Sequence, residues 1–512
     1  MKILKDIAYA INRYQAREIE VLTNPVRKPS KQVNRYWEFY VGLREDRWKT
    51  EEEAACHFGM APGKNFNRLK NEVKRRLLNS LLFTDINIPE FSDYRHASQE
   101  LVRLWAVAEA LRRKGAAKAF LEIAEKCLNN AIRLENLEMI VAISRLIRGV
   151  TLPRNLKQEY LRACKAFDEY WPAFLFEVVI QNEYENLIQQ LINHKGFKKE
   201  FAPLAEELTR KYEAEAKQYP YVYVQYYFRL IAVYAKIFKH DWAGGLDIAN
   251  GALEFFYGKP LKIEICILAF NHQKTACLVM LGRHEEARET IRQGLELIIT
   301  GSPLWFKNRE LATINALYAG NYPEAWQIAK SAWQHERLPV ISPLDQESWR
   351  VYQGYLLCLV KMGKMDLSPR EKGELPRFRL GAWLNDLPLY SQDKRGANIP
   401  VLILQALFLL LEERLDEFDK RVEALRKYRQ RNLDPASEHF RTDCFIRLLE
   451  LIPAYGYDLQ KITERAQPLL DKLQSVSVDI LDRGFEVEVL PYERQWNLAT
   501  EMLARISIFS VS

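Results

Sequence analysis

Three stretches of the chain carry the side chains that could do chemistry. The densest in aromatic residues is Tyr219-Pro220-Tyr221-Val222-Tyr223-Val224-Gln225-Tyr226-Tyr227-Phe228. Phenol rings stack on bases or grip a peptide. Tyr223, Tyr226 and Tyr227 are the candidate contacts. The run samples more than one face of a helix, so packing between helices is the competing use of the same rings. The second stretch is basic: Arg68, Lys70, Lys74, Arg75 and Arg76 lie close together before Leu77-Leu78. Such a cluster meets phosphate backbones or an acidic protein by counterion release and steering, or is simply a solvated face. The third, residues 365–400, breaks the helical rhythm and holds Arg379, Asn385, Tyr390, Lys394 and Arg395. There a partner or an anion could meet Lys394 and Arg395, or the insert packs to patch an irregular joint.

Catalytic signatures are missing. The 7 cysteines are odd in number, form no C-x-x-C pair and fall in apolar helical segments, which reads as reduced core thiols. The 8 histidines are dispersed, with no H-E-x-x-H. No phosphate-binding glycine loop, dinucleotide fingerprint, nucleophile elbow or calcium loop is present. Acidic pairs such as Glu285-Glu286 and Glu412-Glu413 are expected on exposed helix faces, where carboxylates are solvated. The expectation is a chain that is not an enzyme and needs no cofactor or metal.

The elements that must position these side chains are helices. Net charge is +7, and residues 1–80 hold all of it, with 17 Lys and Arg against 10 Asp and Glu. That region reads as a basic N-terminal helical module over residues 1–90, with helices near Met1–Leu22 and Val33–Arg44. Thr50 followed by Glu53 fits a capping box and Gly59 a helix stop; after Pro62-Gly63 a helix carries Phe66, Leu69, Val73, Leu77 and Leu81 on one face. The pair of short helices has the shape of a DNA-reading helix-turn-helix, or of the cap that begins a helical array. Helical repeats are expected over 97–364, an irregular insert over 365–400, and further repeats with a cap over 401–512. Near the end, Ser475–Leu490 alternates polar and apolar residues around Asp482-Arg483-Gly484, which suits a short β-hairpin.

Helix-turn-helix signals recur at Leu281-Gly282, Ala319-Gly320 and Met362-Gly363, with glycines 38 and 43 residues apart. The runs Leu281–Ala287 and Ala319–Ala325 resemble the tetratricopeptide-repeat pattern, although the spacing departs from its period. The likeness covers residues 225–365 well and 97–225 and 400–460 loosely. It implies an all-α, right-handed α-solenoid of irregular TPR-like helical hairpins whose concave groove holds a protein segment. A general likeness to bacterial proteins with a basic module before such repeats adds no activity.

The longest apolar run, Ile399–Leu411, has the length of a buried helix rather than a bilayer span, and the N-terminal residues lack a signal peptide's apolar core. A cytoplasmic chain with no membrane contact is expected. Taken together, the residues read as a protein-binding scaffold or adaptor. The alternative is a nucleic-acid-associated regulator that contacts DNA or RNA through residues 45–80.

Overall fold

One backbone turn recurs between helices. At it a residue in the left-handed region follows the helix, and the amide after it donates to the carbonyl five residues back, the double closure that satisfies a helix C-terminus. Gly282 (φ 71°) and Gly320 (φ 79°) hold this position where the sequence signal is strong, with Arg283 N bonded to Leu278 O and Asn321 N to Ala316 O, each at 2.9 Å. Elsewhere the position is filled by Glu135, His240 and Glu413 (φ 53–60°), followed by the same bonds from Asn136, Asp241 and Arg414 to Ala131, Lys236 and Leu409. The next helix is often capped at once, as when the Asp241 and Asn321 side chains accept from Gly244 N and Glu324 N.

The computed structural model describes residues 4, 35–81, 93–193, 198–368, 371, 399–432, 440–476 and 488–509. These residues form twenty α-helices and no strand, so the described chain is all-α. It divides into two compact units, one of Met1–Phe174 with Pro260–Lys262, the other of Leu175–Lys259 with Ile263–Ser512.

The first unit holds α1 (Arg35–Arg44), α2 (Glu51–His57), α3 (Lys64–Leu81), α4 (Asp93–Arg113), α5 (Ala117–Arg133), α6 (Leu137–Thr151) and the start of α7 (Lys157–Asn193). Helices α1–α3 share a core in which Phe39 packs against Trp48, Phe58 and Phe66 at 5.3–5.8 Å between ring centres. Thr50 caps α2 by accepting from Glu53 N, while the Glu53 carboxylate accepts from Lys49 N, one residue earlier than a capping box requires. The apolar face of α3 is buried at Phe66, Leu69, Val73 and Leu77.

The second unit continues with α8 (Lys198–Gln218), α9 (Val222–Ile237), α10 (Trp242–Tyr257), α11 (Glu264–Met280), α12 (His284–Leu295), α13 (Pro303–Ala319), α14 (Tyr322–Trp333) and α15 (Pro343–Lys361). It ends with α16 (Ile399–Leu411), α17 (Leu415–Asn432), α18 (Phe440–Ala454), α19 (Leu459–Gln474) and α20 (Tyr492–Phe509). From α8 to α15 each helix packs on the one before it, as do α16 to α20, and α15 packs on α16. Alternate helices α9, α11 and α13 also touch in sequence.

Several expectations are corrected by these elements. Pro220 precedes α9 instead of opening it, because extended Tyr221 is the cap. Glu412 and Glu413 lie in the turn between α16 and α17, not on a helix face. Helix α7, where no break was expected, runs its 37 residues through Pro172. Of the helix expected near Met1–Leu22 only Leu4 is described, and most of the expected hairpin at Ser475–Leu490 lies outside the described residues.

Candidate functional site

The aromatic run becomes the first turns of α9, and its rings divide between neighbours. Val222, Val224, Gln225, Leu230 and Ile231 are buried in the unit's core, which leaves Tyr223, Tyr226 and Tyr227 half-buried along the flank. Tyr227 lies 5.6 Å from Tyr184 of α7, which also stacks near Tyr234 at 6.4 Å. Tyr226 meets Tyr227 at 5.1 Å and stands edge-on to Phe270 of α11 at 6.2 Å, while Tyr223 meets Tyr226 edge-on at 6.4 Å. The three predicted tyrosines are thus brought together, and Tyr184 and Tyr234 join them from positions no local pattern marks.

Burial sets the chemistry of this face. Desolvation pushes the Tyr226 hydroxyl well above the usual phenol range, and pushes Tyr227 up to about 12 with help from the negative Glu185 and Glu177. Both hydroxyls stay neutral donors across physiological pH. Rings held by edge-to-face contacts, with neutral hydroxyls at their rims, can meet carbonyls and apolar side chains.

On the other side of α9, Gln225 ties the helix to α8 by donating from Nε2 to Ala216 O at 2.6 Å, and its Oε1 accepts from Arg229 Nε at 3.0 Å. Arg229 and Lys259 both lie over Phe255, at 5.2 and 4.6 Å from the ring centre. They line a cleft of about 450 Å³ with Gly251, Glu254 and Gly258. Glu254 supplies one carboxylate against the two cations, and Arg229 donates to Gln225 and Lys259 to Pro220 O. A larger cleft of about 940 Å³ over α17–α19 is neutralised from within, Arg429 pairing with Glu450 and Asp443, and Arg426 with Glu423.

The basic stretch lies on α3, and much of its charge is already matched. Lys70 pairs with Glu51 of α2 at 2.5 Å, and Arg75 and Arg76 both pair with Glu72 at 2.7 and 2.8 Å. Arg76 also stacks on Tyr36, 4.2 Å from the ring centre. The two arginines hold the Glu72 carboxyl down to about 2. Among the described residues, Arg68 and Lys74 are the members of this set without a carboxylate partner. Arg379, Asn385, Tyr390, Lys394 and Arg395 lie outside the described residues.

Burial pushes the thiols of Cys266, Cys277 and Cys358 up to about 12 and Cys127 to about 11, which keeps them protonated. Among the described residues no cluster of His, Cys, Asp and Glu is arranged to hold a metal ion, and no helix is long and apolar enough to cross a membrane.

Compared with protein-family models, curated proteins and solved structures, the chain matches none. The reading therefore rests on the side chains themselves. A feature that sequence reasoning missed is Arg441, at the start of α18, which gathers Glu488, Glu493 and two backbone carbonyls from segments 32–52 residues away. Nothing in the local sequence of α18, which also carries Asp443, Arg447 and Glu450, sets this arginine apart.

Proposed function

We propose that the chain is a non-enzymatic protein-binding scaffold, an irregular TPR-like solenoid of the second unit that holds a segment of a partner protein against the tyrosine face of α7, α9 and α11. The observation that carries the reading is the group of half-buried tyrosines around Tyr227, packed on one another and kept neutral by burial. Rigid aromatic rings with a polar rim bind a segment at little entropic cost. The pairing of Lys70 with Glu51, and of Arg75 and Arg76 with the one carboxylate of Glu72, reduces the charge that α3 offers to phosphates and weighs against the nucleic-acid reading, while Arg68 and Lys74 keep theirs.

The test is a photo-crosslinking amino acid placed at Tyr227 in the full chain, with a second at Lys74, irradiated in the native cell with nuclease treatment before recovery. The expected result is a discrete protein adduct from position 227 that survives nuclease and is reduced in a Tyr223→Ala background. Adducts only from position 74, removed by nuclease, would overturn the scaffold reading in favour of nucleic acid.

A further inference from the structure

We infer that α20 is a releasable helix held in cis on the face formed by the opening helices of the C-terminal hairpins, so that this face accepts an amphipathic helix and α20 competes with a partner helix for it. The inference deepens the groove-binding reading and rests on it for its consequence.

In an array of hairpins a closing helix touches the last hairpin alone. Helix α20 reaches much further. It packs on α19, α18 and α16. From its first turn, Arg494 donates to the carbonyls of Leu317 and Tyr318 at the end of α13, at 2.7 and 2.6 Å. Near its other end, Arg505 donates to Met362 O at the end of α15 at 3.2 Å, and Glu501 pairs with Lys364 at 2.7 Å. Helices α13, α16 and α18 each open a hairpin, and α15 follows the closing helix α14 in the same position. One helix thus crosses four opening helices, with Trp496, Ala499, Met502 and Leu503 buried along its inner side at helical spacing.

The attachment is graded along α20. Its leading segment is anchored by buried groups: Arg441 binds Glu488 and Glu493, Tyr318 donates from its hydroxyl to Glu488 O at 2.7 Å, and Tyr492 stacks on Phe445 at 4.5 Å. From Arg494 onward, apart from buried Gln495, which donates from Nε2 to Leu490 O at 2.5 Å within the anchored segment, the polar contacts are of another kind. Arg505 is exposed, and Lys364 and Glu501 are partly so. The carbonyls of Leu317, Tyr318 and Met362 are helix-end acceptors that water satisfies equally well. Release of the helix body beyond the anchor therefore strands no buried charge.

Two measurements test this. Hydrogen exchange on the unmodified full chain is expected to open the Arg494–Phe509 amides at lower denaturant than those of α16 and α18; opening of all three together overturns the inference. A fluorescent peptide of residues 490–509 is then titrated into the full chain and into Arg494→Ala/Arg505→Ala. The variant is expected to take up the peptide roughly tenfold more tightly, because the apparent affinity scales with the open fraction. Equal uptake by both chains, or none by a variant whose α16 and α18 retain protection, overturns it. Peptide uptake without any protein adduct at Tyr227 supports the release of α20 and refutes the function proposed above. An adduct at Tyr227 without peptide uptake does the reverse.

Discussion

Arg441 and Glu488, 47 residues apart in the chain, meet at 2.5 Å between Nε and Oε1 with side chains only 7% and 6% exposed. The remaining donors of the guanidinium are also taken: Nη1 gives to Leu473 O and Val476 O, and Nη2 to both carboxylates. Glu488 in turn accepts from Tyr492 N at 2.9 Å. A buried ion pair gains its attraction against a large desolvation cost, so its net worth is small while both partners are present and the loss is large when one is removed.

Arg441→Met is accordingly expected to destabilise the second unit by about 3–5 kcal/mol, since Glu488 is left as a buried charge without its partner. Arg441→Met combined with Glu488→Leu should recover much of that loss. Urea unfolding of the two variants checks the ordering. A double variant that is less stable than the single one would show that Glu488 stabilises the fold without Arg441, through its bond from Tyr492 N.

A hairpin turn that places glutamate in the left-handed region is strained relative to glycine by about 1 kcal/mol. Glu413 (φ 55°) is exposed and ends α16 in this way. Glu413→Gly is therefore expected to raise stability by about 0.5–1 kcal/mol even though it removes a side chain and adds backbone freedom to the unfolded chain. A melting temperature that falls would mean the unfolded-state term dominates.

Two other glycines should respond to alanine with opposite signs. A Cβ on Gly42 would sit 2.1 Å from the Trp48 ring, which the aromatic core around Phe39 holds in place. Gly42→Ala is expected to cost about 1–3 kcal/mol by overpacking. Gly149, on the exposed side of α6, has nothing within 4 Å of that position, so Gly149→Ala should stabilise by about 0.5–1 kcal/mol through helix propensity. Thermal melts of the two variants decide both.

Tyr227, pushed up to about 12 by burial and by the negative Glu185 and Glu177, should remain a phenol while exposed tyrosines ionise near 10. The ultraviolet absorbance change between pH 9 and pH 11 is expected to be the same for wild type and Tyr227→Phe. A smaller change in the variant would mean that Tyr227 is open to solvent.

How far these features could be read in advance follows from how local their causes are. The Thr50 cap, the buried face of α3 and the Gly282 and Gly320 turns depend on residues within one or two helical turns, and each was legible. The same turn at Glu135 was not marked, because a left-handed residue other than glycine leaves no signature in composition. Pro172 does not end α7: a proline costs one backbone bond, and tertiary packing outweighs that. Tyr223, Tyr226 and Tyr227 were legible as a cluster, but Tyr184 and Tyr234, like the Arg441 and Glu488 pair, depend on which helices become neighbours.

Glu72 gives the first unit an acid-sensitive contact. Hydrogen bonds from Arg75 and Arg76 hold its carboxyl down to about 2, against an ordinary value of 4.5. A carboxyl depressed on folding adds stability that is present above the unfolded value and is lost as pH falls toward the folded one. The contribution should therefore disappear between about pH 4.5 and pH 2. Solvent access at Glu72 makes it modest and salt-dependent. The protection of peptides covering Lys64–Leu81 against hydrogen exchange, taken relative to the intrinsic rate at each pH, is expected to fall over that window in wild type, and less so in Glu72→Gln. Because Arg76 keeps its stacking on Tyr36 in the variant, α3 should stay folded at neutral pH. Equal acid sensitivity in the two chains would assign the loss to other carboxylates and remove Glu72 as its cause.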